Sequence, residues 1–208
     1  MKDFKKKSFL MFDLDGVVFD SKKNMELAWN ETSKKFRLNI AFSLYFKKIG
    51  MPFLKILESL GIKPNKIIYK YFKEVSLKKI NTIKPYKDVL NLFRFLKKKK
   101  IKFSIVTSKD FKRSKFLLKK FKIQPNSIHC PSIRFRGKPF PDQLLYSLKK
   151  NKITASDACF IGDTKIDFLA AKRANVTFVF AKYGYGKNNK QYKNQITNIK
   201  QIKKFINS

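Results

Sequence analysis

The stretch from Ser8 to Ser21, SFLMFDLDGVVFDS, places an apolar run, Phe9-Leu10-Met11-Phe12, directly before Asp13, with Asp15 two residues on. Four or five apolar residues bounded by a turn signal predict a strand buried on both faces. Two carboxylates at the end of such a strand are costly unless they meet a cation or hydrogen-bond donors. In open α/β sheets the carboxyl ends of the strands are where ligands bind. Two readings fit these residues. One is a metal-assisted site built on Asp13 and Asp15; the other is a polar Asp15-Gly16 turn closing a hairpin.

Two further apolar runs end in the same way. Phe103-Ser104-Ile105-Val106 runs into Thr107-Ser108, and Cys159-Phe160-Ile161-Gly162 runs into Asp163, with Asp167 one helical turn later. In a parallel sheet these ends share one edge. The helices expected after Thr107 and after Asp163 aim their N-termini there, which favours an anion. The chain has only 14 acidic residues, and four of them, Asp13, Asp15, Asp163 and Asp167, fall at these ends. Like charges gathered in one place need a cation, and a set of oxygen ligands suits Mg²⁺. Taken singly, Thr107 also reads as an ordinary β-branched strand residue and Asp163 as a plain helix cap. In Arg136-Gly137-Lys138-Pro139-Phe140-Pro141-Asp142, Gly137 and the two prolines constrain the backbone around Lys138 at a helix start. A buried lysine there would neutralise a phosphate oxygen and a nucleophilic carboxylate together; a solvated turn lysine is the alternative.

Positioning these groups requires a regular scaffold. Helices are expected at 24–36, 40–49 (ending at Gly50), 53–60 (opened by Pro52, with Gly61 at its end) and from Pro64 toward Ile80, with Ser21 a candidate cap for the first. No strand is evident between about 21 and 84, so this segment reads as a helical insert. Beyond Pro85 come a helix at 86–99, a strand at 101–107, a helix at 111–121, a short strand at 127–131 and a helix at 141–150. A strand at 158–162, a helix at 164–174 and a strand at 176–180 follow. Asn175 sits where a left-handed residue is wanted. A loop with Gly184 and Gly186 leads into a polar Lys/Asn-rich segment, 187–194, and a last helix is expected at 198–206. The alternation predicts an α/β fold: a Rossmann-like parallel sheet with helices on both faces, plus a small all-helical unit. The expected division is a discontinuous core, 1–20 and 85–208, and a helical domain, 21–84.

These motifs, in this order, resemble those of the haloacid dehalogenase superfamily, whose phosphatases use an aspartate nucleophile. DLDGVVFDS resembles the first motif, VTSKD the second, RGKPFPD the third and IGDTKIDFLAA the fourth. The resemblance implies Asp13 as nucleophile, Asp15 as general acid/base, Thr107 as phosphate ligand and Lys138 as the catalytic cation. It also implies Mg²⁺ held by Asp13, Asp15 (through its backbone carbonyl), Asp163 and Asp167, with the helical insert acting as a cap. The second aspartate, Asp15, makes dehalogenation improbable. Mutases of the family carry a cap arginine a few residues after a glycine, whereas here the chain reads Gly50-Met51-Pro52-Phe53. That segment and Lys109 resemble phosphoglycolate phosphatases, and Ser108, Lys109 and Gly50 are candidate substrate contacts, with Lys47 and Lys48 in reserve. Phosphosugar or nucleotide hydrolysis shares every motif, and a phosphosugar mutase is the remoter alternative.

Composition bounds the rest. At 208 residues and 43% hydrophobic, the chain can bury a substantial core. No apolar window is long enough to span a bilayer. Two cysteines without a CxxC fit a reducing compartment, and a cytoplasmic location is expected. The formal net charge is +35. A polyanion partner such as nucleic acid would explain it, but the excess is spread along the whole chain as lysine, in the company of abundant Asn, Ile and Phe, as an AT-rich genome would produce. A small phosphorylated metabolite is the favoured partner and a nucleic acid the less favoured one, with the protein a monomer or homodimer.

Overall fold

A computed structural model describes residues 6–132, 135–188 and 190–206. Six parallel strands form one sheet: β1 (Phe9–Phe12), β4 (Lys102–Val106), β5 (Ser127–His129), β6 (Ala158–Gly162), β7 (Thr177–Ala181) and β8 (Asn194–Ile196), in the spatial order β5-β4-β1-β6-β7-β8. A separate antiparallel ribbon joins β2 (Phe19–Asp20) to β3 (Lys84–Pro85). β1 lies in the middle and all four of its residues are buried. Its neighbours, β4 and β6, belong to chain segments that build outward in opposite directions. The carboxyl end of β1 is therefore the switch point of the topology, where a crevice opens in sheets of this kind.

The pleat sorts the strand side chains between two cores. Leu10 and Phe12 point to one face, with Phe103, Ile105, Ile161 and Val179, and pack against α5 (Val89–Lys98), α6 (Phe111–Lys120) and the C-terminal turn. Phe9 and Met11 point to the other, with Phe160, Phe178 and Phe180, against α7 (Asp142–Asn151) and α8 (Lys165–Arg173). The near-continuous apolar runs of β1 and β6 follow from burial on both faces.

The ribbon β2–β3 leads out to and back from a helical layer: α1 (Lys22–Lys35), α2 (Phe42–Phe46), α3 (Phe53–Ser59) and α4 (Lys66–Lys78). This layer has its own apolar cluster, centred on Trp29, Tyr45, Phe53 and Phe72. Trp29 stacks on Tyr45 at 4.5 Å between ring centroids and donates its indole N–H to the Ile40 carbonyl at 2.9 Å. That bond holds the Ile40 carbonyl outside any helix, and α2 starts two residues later than its sequence suggests.

Other departures have equally local causes. The Asp15-Gly16 turn closes no hairpin, because β2 pairs with β3 and not with β1. α5 begins at Val89 instead of Tyr86, since Asp88 takes a left-handed φ of 67° and the Tyr86 amide donates to the Val18 carbonyl. α4 is capped by the Asn65 side chain, which accepts from the amides of Ile67 and Ile68. The last helix is 3-10 over Ile199–Phe205, and its apolar residues Ile199, Ile202 and Phe205 fall three apart, the spacing that aligns side chains in that geometry. Asn175 is left-handed as expected, with a φ of 53°. Among the described residues no helix is long and apolar enough to cross a membrane.

Trp29 is fully buried, and truncating a large aromatic at such a site typically costs ~3–5 kcal/mol. Trp29→Ala is expected to lower stability by about that amount in urea denaturation. Circular dichroism is the suitable probe, since the substitution removes the only tryptophan.

Candidate active site

Asp13 follows β1 directly, and its amide donates to the Ile161 carbonyl, which continues the strand pairing by one residue. Its Oδ1 accepts from the Leu14 amide at 2.7 Å and meets Lys138 Nζ at 3.0 Å. Lys138, 1% exposed, reaches Asp167 Oδ1 with the same ammonium at 2.5 Å. The other Asp167 oxygen closes a capping box at the start of α8, accepting from the Thr164 amide and hydroxyl at 3.0 and 2.6 Å. Asp163 is fully buried at the end of β6, and its Oδ2 accepts from the Tyr185 amide at 2.7 Å.

One carboxylate oxygen each from Asp13, Asp163 and Asp167 lie within 4.8 Å of one another. Three carboxylates against one ammonium leave a net charge of −2 when all are ionised. Asp163 Oδ1 is buried without a hydrogen-bond partner among the described atoms. An orphaned carboxylate oxygen in a site short of two positive charges fits a divalent cation, and three hard oxygen donors suit Mg²⁺ or Mn²⁺. Burial, reinforced by Asp167 and Asp15 and opposed by Lys138, pushes the Asp13 carboxyl up to about 7. Burial and the charges of Asp167 and Asp13 likewise hold Asp163 well above the usual carboxylate range. Burial alone would lower the Lys138 ammonium, but Asp13 and Asp167 outweigh it and keep this lysine charged.

The backbone leaves no slack here. Gly16 has a φ of +88°, and a Cβ on it would lie 2.1 Å from Asp163 Oδ2. A Cβ on Gly186 would fall 1.7 Å from the Asp163 carbonyl oxygen. Both glycines let the chain wrap tightly around Asp163.

Asp15 stands apart from the three-carboxylate cluster. Its Oδ2 meets Lys109 Nζ at 3.1 Å, and its Oδ1 accepts from the Ser21 hydroxyl. Ser21 therefore spends its side chain on Asp15 and makes no capping bond to α1. Thr107 is buried after β4, and its Oγ1 accepts from the Lys109 amide at 3.2 Å, which leaves the hydroxyl proton free to donate elsewhere. Ser108 donates to the Gly50 carbonyl at 2.5 Å, joining the sheet edge to the helical layer.

Asp13, Asp15, Thr107, Ser108, Lys109, Gly50 and Arg113 line one cavity of about 60 Å³ between the sheet edge and the helical layer. Its remaining walls are apolar or aromatic, among them Met25, Tyr45, Met51, Phe53, Tyr69 and Phe72. Lys138, Asp163 and Asp167 lie behind Asp13 and do not line it. Neither do Lys47, which is exposed, and Lys48, which is half-buried. Three residues at this site were not singled out from sequence. They are Tyr185, whose amide holds Asp163; Ser21 in its role on Asp15; and Arg113, buried at the cavity wall. The Gly-Tyr-Gly run after β7 and the scarcity of arginine, six in a chain with 49 basic residues, are the signals that mark two of them.

Residues 10–181 match the haloacid dehalogenase-like hydrolase family, and the chain belongs to it. It is 29% identical over 187 residues, 88% of each chain, to a phosphoglycolate phosphatase of Aquifex aeolicus. Over 199 residues, 86% of each chain, it is 29% identical to one of Colwellia psychrerythraea. Its fold superposes with a TM-score of 0.88 on a Lactobacillus plantarum structure named for phosphoglycolate phosphatase, at 22% identity and covering 97% of this chain and 100% of that one.

Metal binding at this cluster would displace protons, because burial and mutual repulsion favour the neutral forms of Asp13 and Asp163. With the Asp13 pKa raised from 3.8 to about 7, the stability this group contributes is full below pH 4 and lost as pH rises toward 7. A divalent cation reverses that loss. Millimolar Mg²⁺ or Mn²⁺ is expected to raise the melting temperature by ~5–10 °C at pH 8 if present at about 100 times its dissociation constant. The increase should be clearly smaller at pH 5.5 and absent in Asp163→Asn. Scanning fluorimetry with and without chelator measures it.

Proposed function

We propose that this haloacid dehalogenase-like hydrolase is a Mg²⁺-dependent phosphatase that hydrolyses a small, phosphoglycolate-like phosphate monoester through an aspartyl-phosphate. The observation that carries this reading is Asp13 itself. It is a buried carboxylate at the switch point of the sheet, with Oδ1 fixed by Lys138 and the Leu14 amide while the residue opens onto the cavity. The division proposed for the chain is a catalytic core of residues 1–20 and 85–208 under a helical cap of residues 21–84.

In the first step Asp13 Oδ2 attacks phosphorus. A P–O bond to Asp13 forms, the bond to the leaving oxygen breaks, and Asp15 gives its proton to that oxygen. Ser21 and Lys109 hold the Asp15 carboxyl in place for the transfer. In the second step Asp15 takes a proton from water, the water oxygen attacks phosphorus, and the bond to Asp13 breaks to release inorganic phosphate. Thr107, with its hydroxyl proton free, and the backbone at Ser108 bind the phosphoryl oxygens at the N-terminal end of α6. Lys138 favours the ionised form of Asp13 and holds it aligned. Asp13, Asp163 and the backbone carbonyl of Asp15 would hold Mg²⁺, with Asp167 beside them. Bound there, the ion lets two anions approach and offsets charge on the transferring group. Asp167, with one oxygen on Lys138 and the other on Thr164, serves chiefly to orient the lysine.

The cap wall favours hydrolysis of a small ester over the mutase alternative. A mutase must grip a second phosphate, and the helical layer contributes no charged side chain to the cavity lining. A volume of about 60 Å³ also lies far below the ~300–1,000 Å³ of pockets for drug-sized ligands, which suits a leaving group of a few atoms better than a nucleoside. The positive surface adds long-range attraction for any anionic substrate, strongest at low salt.

The deciding assay is phosphate release from a panel of small esters, phosphoglycolate among them, with Mg²⁺ and with chelator. Asp13→Asn and Asp15→Asn are each expected to lose roughly two orders of magnitude or more in kcat. Undiminished turnover by Asp13→Asn would remove the nucleophile from this scheme.

A further inference from the structure

Arg113 sits on the first turn of α6, one residue type among many basic ones, yet its placement is unlike that of the surface lysines. It is 6% exposed and lines the cavity that holds Asp13, Asp15 and Thr107. Its guanidinium is clamped. Nε donates to Asp110 Oδ2 at 2.5 Å, and Nη1 donates to Ser76 Oγ on α4 at 2.7 Å. Ser76 is in turn fixed by Asn24, to whose Oδ1 it donates at 2.6 Å, and both are fully buried. The Phe72 ring lies 5.5 Å from the guanidinium carbon. The Tyr69 hydroxyl of α4 also bonds to the guanidinium. A planar cation is thus held at the cavity wall, beside Asp13, Asp15 and Thr107.

The other cation on the cavity wall, Lys109, is directed at Asp15. The helical layer supplies no charged side chain to the lining. Two cations, Lys109 and Arg113, face two carboxylates, Asp15 and Asp110.

We infer that Arg113 reads a second anionic group on the substrate's leaving portion, a carboxylate, so that this recognition comes from core helix α6 and not from the cap. The inference rests on the phosphatase reading above and deepens it. Arginine suits the task because its fork is preorganised and always charged. A carboxylate reaching the guanidinium gains a charge-assisted bond that a methyl or ammonium group cannot make. The small cavity then sets the spacing, with one or two carbons between the ester oxygen and the carboxylate.

The test compares kcat/KM for phosphoglycolate, ethyl phosphate and phosphoethanolamine, which differ only in the group at the far end of the leaving portion. The wild-type chain should prefer phosphoglycolate over both. In Arg113→Gln the ratio of kcat/KM for phosphoglycolate to that for ethyl phosphate should fall on the order of 10- to 100-fold, carried mainly by KM for phosphoglycolate. Arg113→Lys, which keeps the charge and loses the fork, should fall between, and it decides the matter if Arg113→Gln does not fold. An unchanged ratio in the folded variants, with both rates lowered together, would reduce Arg113 to a strut between α6 and α4. Equal use of ethyl phosphate and phosphoglycolate by the wild type would also overturn the inference while leaving the phosphatase intact. Release from none of the three esters would sink the phosphatase reading, and this inference with it.

Discussion

Excess negative charge, buried at the carboxyl end of the central strand, is the constraint around which the molecule is built. Three carboxylates converge there, Asp13 at the cavity wall and the other two behind it, and one lysine answers them. Isolated ionised groups in such surroundings are strongly disfavoured, so the site is stable as charged chemistry only with every partner in place. Lys138 is spent entirely on this purpose, with one ammonium shared between Asp13 and Asp167 and almost no exposure. The remaining deficit, together with the unpartnered Asp163 Oδ1, asks for a divalent cation. In a chain of net charge +35 the local sign is inverted here, where the fold gathers several of its scarce acidic groups.

The scaffold meets that constraint through topology and close approach. β1 occupies the centre of the sheet, so its end is flanked by the ends of β4 and β6, and the three polar termini meet without any long side chain having to reach. The capping box at Thr164 does two tasks with one carboxylate. It starts α8, and it turns the free oxygen of Asp167 toward Lys138. Gly16 and Gly186 bring backbone against Asp163 where any larger residue would collide. Tyr185 ties this loop outward: its amide holds Asp163, its hydroxyl bonds the Ser21 amide and Asp20 at the ribbon, and its ring meets Phe46 of α2 edge-on. A single residue thus touches the carboxylate cluster, the ribbon and the helical layer.

The parts legible in the sequence were those with long-range redundancy. Buried parallel strands announce themselves as apolar runs, and β1, β4, β6 and β7 fall where those runs lie. Carboxylates at strand ends are rare enough in this chain to stand out. What escaped notice was short or lay in polar sequence. β2 and β3 have two residues each and pair only with one another, so neither carries a periodic signal. β8, Asn-Gln-Ile, buries one residue of three at the sheet edge and follows the polar 187–194 segment, where Tyr192 is buried against Phe168, Phe178 and Phe180. The C-terminal apolar triplet fits a 3-10 turn as well as an α-helix until the backbone is seen. Arg113 was hidden by company: amid so many lysines a cation on a helix face looks like solvated surface, and only tertiary burial separates it from them.

That last point bears on how a protein this basic can be selective at all. A diffuse positive field draws in anions of every kind and distinguishes little among them, because exposed charges act at a distance and are screened by salt. Discrimination has to come from groups removed from water and held rigidly, where an unmatched partner is costly. The cavity has that character. Its charged walls come from the ends of β1 and β4 and from α6, while the helical layer contributes aromatic walls through Tyr45, Phe53, Tyr69 and Phe72. Lys109 and Arg113 are fixed by carboxylates and Arg113 also by a serine, so neither has to be ordered when a ligand arrives. Surface lysines can drift with codon usage without altering this arrangement. A change at any of the buried, paired groups would strand its partner, and for that reason the chemistry is concentrated in the few charges the fold has hidden.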